Sequence, residues 1–121
     1  MKIGIMLLSG GSPAEIGAQV ADAERRGFSS AWLANIRGVD ALTALAVAGA
    51  QTERIELGTF IVPTFPRHPT AIAQPALTVQ PEPGNRLDPG IGLSHRLSMA
   101  KGPAFSRGHP RRATREYLGT L

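Results

Sequence analysis

Apolar residues arrive along this chain in short runs, then at helical spacing, and the alternation repeats. Lys2 to Leu8 (KIGIMLL) predicts a strand, ended by Ser9-Gly10-Gly11. A helix follows at once: Ser12 suits its N-cap, Pro13 its first turn, and Glu15, three residues after the cap, completes a capping box. Ile16, Val20 and Ala23 fall on one face, with Asp22, Glu24, Arg25 and Arg26 on the wet side and Gly27 as the stop. Phe28 to Ala34 (FSSAWLA) predicts a second strand and Asn35 to Val39 a loop. Asp40 then caps a second helix with the stripe Leu42, Leu45, Ala46 and Gly49. The next stretch, Arg54 to Pro69 (RIELGTFIVPTFPRHP), carries Ile55, Leu57, Phe60, Ile61 and Val62 with little alternation, as a parallel strand covered on both faces requires. Pro63, Pro66 and Pro69 forbid its continuation.

Strands alternating with helices at roughly 25-residue spacing argue for βαβ units and an α/β fold. The expected core is Ile3, Ile5, Leu7, Trp32, Leu33, Leu45, Ile55, Leu57 and Ile61. Beyond Pro69 the pattern weakens. Residues 70–80 predict a helix, but Pro75 lies inside it, where proline costs about 3 kcal/mol. Pro89 interrupts the segment Arg86 to Leu93, which a central strand would not tolerate. Proline and glycine crowd residues 81–110, which reads as loop, and 98–110 (SMAKGPAFSRGHP) shows neither period. A short helix is expected over Arg111 to Leu118. Residues 1–95 thus form the organised part and 96–121 an irregular basic tail.

With 121 residues, 42% of them hydrophobic, and no run near the ~18 apolar residues of a membrane span, one soluble domain without a membrane partner is expected. Nothing resembles a signal peptide, so a cytoplasmic location is expected. The chain has no cysteine and three scattered histidines, which predicts neither disulfide nor bound metal. The formal charge of +4 belongs to the tail: Arg96, Lys101, Arg107, Arg111, Arg112 and Arg115 occur with no acid among them. A basic arm for nucleic acid would want aromatics to stack on bases, and only Phe105 and Tyr117 are near, so the wet face of a last helix is favoured over a nucleic-acid partner.

Ligands of parallel α/β sheets sit beyond the carboxyl ends of the strands, which makes Thr59 to His68 the candidate site. Gly10-Gly11 before a capped helix could cradle a phosphate, but without a full glycine fingerprint it reads as a strand-to-helix turn. His68 could donate to a bound cofactor or cap the helix after it. Asp40 reads as a cap, and Asn35 as either a loop residue or a site residue.

The run WLANIRGVDALTALAVAGAQTERIELGTFIVPTFPRHP, with QPALTVQ, GNRL, GIGLSH and REYL after it, resembles the N-terminal part of the luciferase-like monooxygenase family. Within that family it is most similar to the branch using the deazaflavin coenzyme F420 rather than FMN. The resemblance implies a partial (β/α)8 TIM barrel of about three to four βα units. It further implies oxidoreductase chemistry on a small-molecule substrate, in which a ring at the carboxyl-end mouth exchanges a hydride or, with FMN, activates oxygen. It implies a non-proline cis peptide at the end of the third strand, matching Thr59, Phe60 and Ile61. Asn35 matches a polar position near the ring, and Ser94 and His95 match the end of the fourth strand, where His95 is the catalytic candidate by position. A complete barrel takes about 250 residues, and the phosphate-binding loops after its last strands have no counterpart here. The chain by itself is therefore expected to be an inactive, truncated fragment that binds the cofactor weakly or not at all. The alternative is a non-catalytic half-barrel that self-associates through its open edge.

Overall fold

The capping box forms as the residues require. The Glu15 amide donates to Ser12 Oγ at 3.3 Å, and the Ser12 amide donates to the Glu15 carboxylate at 2.6 Å. These bonds start α1 (Pro13–Arg25), which turns Ile16, Gly17, Val20 and Ala23 inward. The computed structural model describes residues 1–8, 10–35, 38–79, 86–93 and 110–121. Around α1 stand β1 (Gly4–Leu7), β2 (Ser30–Leu33), α2 (Ala41–Ala50) and β3 (Glu56–Thr59). After them come β4 (Val62–Pro63), α3 (Pro69–Val79), β5 (Leu87–Asp88), β6 (Ile91–Gly92) and α4 (Pro110–Leu118).

One sheet runs β1-β2-β3-β5, all parallel, and β4 pairs with β6 beyond it, also parallel. The register sets Ile5, Ala31, Leu57 and Leu87 in one row and Leu7, Leu33 and Thr59 in another. Apart from the half-buried Ile5, the apolar residues of these rows are buried with Ile16, Val20, Leu42, Leu45, Ile72 and Val79, which places α1 to α3 on that face. The alternate row, Met6, Trp32, Gly58 and Asp88, looks the other way. Among the described residues the helices lie on one side of the parallel sheet and leave its other face uncovered, the arrangement of a (β/α)8 barrel opened along its length.

Two charged side chains lock the lower ends of the units together. Glu24 on α1 accepts from the backbone amides of Glu53, Arg54 and Ile55, the three residues that lead into β3. Burial raises its pKa, but the three amide bonds and Arg54 outweigh burial and hold it below the usual carboxylate range. The Arg86 guanidinium donates to the carbonyls of Gly49, Thr52 and Ile55 and to Thr52 Oγ1, so the residue before β5 ties the end of α2 to the turn that leads into β3.

Several expectations need correction. Pro75 does not break α3. The carbonyl it cannot bond belongs to exposed Ala71, where water can satisfy it. The segment read as loop contains β5 and β6, which stop on either side of Pro89-Gly90, so a two-piece strand accommodates the proline. Ile3 is 52% exposed, and Ile5, Trp32 and Ile61 are only half-buried. Trp32 looks into the uncovered concave face, and Ile5 lies on the outermost strand. Residues 98–109 lie outside the described part, and α4 starts at Pro110. No helix among the described residues is long and apolar enough to cross a membrane.

Candidate functional site

The end of the third strand is built around a bulge. Leu57 and Gly58 pair with Leu87 and Asp88, and pairing resumes with Val62 opposite Ile91. Thr59, Phe60 and Ile61 therefore stand against only Pro89 and Gly90, one residue extra on the β3 side. The burial pattern shifts phase to match: Leu57 and Thr59 are buried before the break, Val62 and Thr64 after it. The Phe60–Ile61 peptide bond is cis, within the triplet that the sequence resemblance marked.

One carbonyl holds the bulge closed. Gly90 O accepts from Thr59 Oγ1 at 2.8 Å and from the Val62 amide at 2.8 Å. Residue 90 must be glycine, since a Cβ there would lie 2.1 Å from Thr59 O. Gly92 makes similar room for Ile61, whose Cδ1 would lie 2.8 Å from an added Cβ. On the other side the Phe60 amide donates to Leu33 O at 2.9 Å, tying the bulge to the end of β2. The outcome is that Thr59 is sealed inside while the Phe60 ring stands 62% exposed. Phe60, Met6, Trp32 and Gly4 line a shallow apolar hollow of about 460 Å3 on the concave face. Trp32 lies flat there because Gly58 has no side chain: a Cβ would meet its ring at 2.3 Å. Its Nε1 donates to Ser30 Oγ at 3.1 Å, so the indole's polar atom is satisfied.

The polar candidates at this mouth divide by what they already hold. Asn35 is half-buried just past β2, and its Oδ1 accepts from the Ala41 amide at 2.8 Å. Asp40 accepts from the Thr43 amide and hydroxyl, both at 2.9 Å, and pairs with the Arg67 guanidinium. Burial pushes the Asp40 pKa up, and the bonds from Arg67 and Thr43 outweigh it and leave it below the usual range. Arg67 is therefore engaged, and its carbonyl accepts from the Tyr117 hydroxyl at 3.0 Å, which fastens α4 to the loop after β4. His68 is exposed, with Nδ1 2.8 Å from Thr70 Oγ1 and its carbonyl accepting from the Ala71 amide. Its geometry is that of a cap for α3. Ser94 and His95 lie outside the described residues. The bulge brings Thr59, Phe60 and Ile61 to the end of β2 near Asn35, whereas His68 serves the next helix.

Three contributors were missed from sequence: Trp32 as a wall of the hollow, Gly58 beneath it, and Gly90 as the clasp. Gly90 and Gly92 alternate with Ile91 and Leu93, a period-two glycine pattern that marks close backbone approach in a strand.

For a flat flavin-type ring the fit is good on one side. Phe60, Trp32 and Met6 offer an apolar face on the uncovered side of the strands, and Asn35 lies just past the end of β2. For a phosphate-bearing tail the described residues offer little, since the guanidinium at the mouth is held by Asp40.

A family model described as "Luciferase-like monooxygenase" matches residues 1–121. A Mycobacterium tuberculosis protein named "Putative coenzyme F420-dependent oxidoreductase Rv3520c" is 37% identical over 127 aligned positions, covering 98% of this chain and 35% of that protein. An uncharacterized protein of the same organism, Rv1360, is 35% identical over 94% of this chain and 34% of its own length. The chain thus spans about a third of these relatives. Among solved structures, the coenzyme F420-dependent tetrahydromethanopterin reductase of Methanopyrus kandleri superposes with a TM-score of 0.81 at 26% identity, covering 97% of this chain and 38% of that one. The oxygenating constituent of 3,6-diketocamphane monooxygenase from Pseudomonas putida, solved with FMN, gives 0.78 at 15% identity over 99% of this chain and 38% of that one, a likeness of fold alone. With a family model matched from end to end and a parallel half-barrel bulged at its third strand, the chain belongs to the luciferase-like monooxygenase family.

Proposed function

We propose that this chain supplies the ring-side wall of the cofactor mouth in an oxidoreductase that exchanges a hydride with coenzyme F420, FMN being the alternative ring. The observation that carries the reading is the bulge of Thr59, Phe60 and Ile61, which turns the Phe60 ring outward at the carboxyl end of the sheet. A bound deazaflavin or flavin ring would supply the centre that takes up or gives back the hydride.

The residues of this chain have three tasks in that account. Phe60, Trp32 and Met6 form an apolar floor that keeps water from one face of the ring. The pair of bonds converging on Gly90 O fixes the height of that floor, because Thr59 cannot move without leaving its buried hydroxyl unpaired. Asn35 Oδ1 is held by the Ala41 amide, which fixes the side chain, and its amide N–H groups would serve the ring edge or the substrate. The phosphate and side-chain contacts of the cofactor fall to barrel elements outside this chain. A ring face alone buries little surface, and losing even three charge-assisted hydrogen bonds at about 1.5 to 3 kcal/mol each moves a micromolar site beyond millimolar.

Titration of the purified chain with F420 and with FMN, followed by cofactor fluorescence, tests this. The expected result is unsaturated binding at micromolar cofactor and no turnover. Saturable micromolar binding that Thr59→Pro leaves intact would place the site elsewhere.

A further inference from the structure

A run of bonds joins Asn35 to α4. Asn35 is fixed from both sides. Behind it, Leu33 O accepts from the Phe60 amide at 2.9 Å; ahead, its own Oδ1 accepts at 2.8 Å from the amide of Ala41, the first residue of α2. Because that partner is an N–H donor, the oxygen of the carboxamide must face α2. Asp40 holds the same helix start. One of its oxygens accepts from the Thr43 amide and hydroxyl, and the other pairs with the Arg67 guanidinium. The Arg67 and Asp40 side chains are 25% and 29% exposed, so water and salt screen this pair less than the open Lys2–Glu56 pair. Arg67 is held in turn through its backbone: its amide donates to Thr64 O at 3.3 Å, and its carbonyl accepts from the Tyr117 hydroxyl at 3.0 Å. Tyr117 itself is half-buried against the core.

We propose that Arg67 is a positioning residue for Asn35: it fixes Asp40, Asp40 and Asn35 share the start of α2, and Tyr117 extends the same hold to α4. The inference rests on the reading that Asn35 serves the ring edge or the substrate, and it adds which residues aim it. Asp40 caps α2 through one oxygen only. With the second oxygen bound to Arg67 the carboxylate cannot turn, so the first turn of α2 presents the Ala41 amide in one direction. The carboxamide that accepts from this amide takes its orientation from it. Without the guanidinium, Asp40 keeps only its bonds to Thr43, the turn that carries Ala41 loosens, and the Asn35 N–H groups lose their fixed aim.

Nitrogen-15 spectra of the full chain without cofactor test the proposal, read at the side-chain NH2 pair of Asn35. Arg67→Met keeps the stem and removes the guanidinium; Tyr117→Phe removes one hydroxyl. Both variants are expected to shift the Asn35 pair and the Ala41 amide, Arg67→Met the more, and to lower the heteronuclear NOE of the pair. Arg67→Lys, which restores a charge beside Asp40, is expected to return part of the shift. Lys2→Met, which removes an exposed ion pair at the amino end of the sheet, is expected to leave Asn35 unmoved. A clasp with a structural role alone would lower the midpoint of urea unfolding and leave the Asn35 pair in place, and that result overturns the proposal. So does an equal shift in Lys2→Met. Should Arg67→Met fail to fold, Tyr117→Phe decides by itself. The same spectra with F420 at millimolar concentration separate positioning from function. An Asn35 pair moved by the variants but not by F420 supports the positioning and removes Asn35 from the ring site; one moved by F420 but by neither variant overturns the positioning alone.

Discussion

Gly90 shows how much one absent side chain can hold. Its carbonyl receives Thr59 Oγ1 and the Val62 amide, and its bare Cα lets Thr59 O approach to a distance no Cβ would allow. Gly90→Ala is expected to cost about 1 to 3 kcal/mol in urea denaturation, the range for overpacking a closed site. Thr59→Val, which keeps the shape and deletes the hydroxyl, should cost about 1 kcal/mol. Asp40 is a second informative position, because it caps α2 and holds Arg67. Its folded pKa is depressed, so its stabilisation is complete above the unfolded carboxylate pKa and is lost as pH falls through the folded value. Asp40→Asn should cost about 1 to 2 kcal/mol at neutral pH, discounted for partial exposure, and should flatten the stability profile on the acid side. Equal losses at pH 7 and at acid pH would contradict that assignment. Asp40 and Ser12 were legible as caps because capping is local chemistry. The partnership of Asp40 with Arg67 was not, since it joins two loops that only the folded sheet brings together.

At the scale of elements, the third and fourth strands show what a sequence pattern conveys and what it conceals. Ile55 to Val62 is apolar without strict alternation, which correctly suggested a parallel strand but wrongly suggested cover on both faces, since Phe60 is 62% exposed; the same lack of alternation hid the change of phase at Phe60. Pro89 argued against a continuous strand and was right about continuity; the strand exists as two pieces whose gap faces the bulge. Pro75 misled because a helix penalty was applied without knowing that Ala71 faces water. The junction of α1 with β3 depends on Glu24, which no periodicity could identify, because its partners are backbone amides 29 to 31 residues away. Glu24→Gln keeps an acceptor but loses charge assistance, and should lower stability by about 1 kcal/mol in chemical denaturation. Amide exchange should then rise at Glu53, Arg54 and Ile55 before it rises in β1. Faster exchange at β1 alone would show that Glu24 does not hold this corner.

For the molecule as a whole, the parallel β1, β2 and β3 with the helices between them were legible as βαβ repeats, whereas β5 lies in a segment that reads as loop; the end-to-end family match agrees with the repeats. The concave face was not legible. Trp32 reads as core in sequence because it would be core in a closed barrel, and only the uncovered sheet shows it as a wall. Of the candidate site residues, Thr59, Phe60 and Ile61 form one structural unit with the end of β2, while His68 serves α3. The account rests on that unit being the face a flat cofactor ring meets. Nitrogen-15 amide spectra of the labelled chain, recorded with F420 added to millimolar concentration, test it most directly. The account predicts progressive shifts at Leu33 to Asn35, Gly58 to Val62 and Thr64, with the Trp32 indole N–H moving alongside and the α1 amides unmoved. Shifts confined to α1 or to the basic helix α4, with the bulge unmoved, would contradict it.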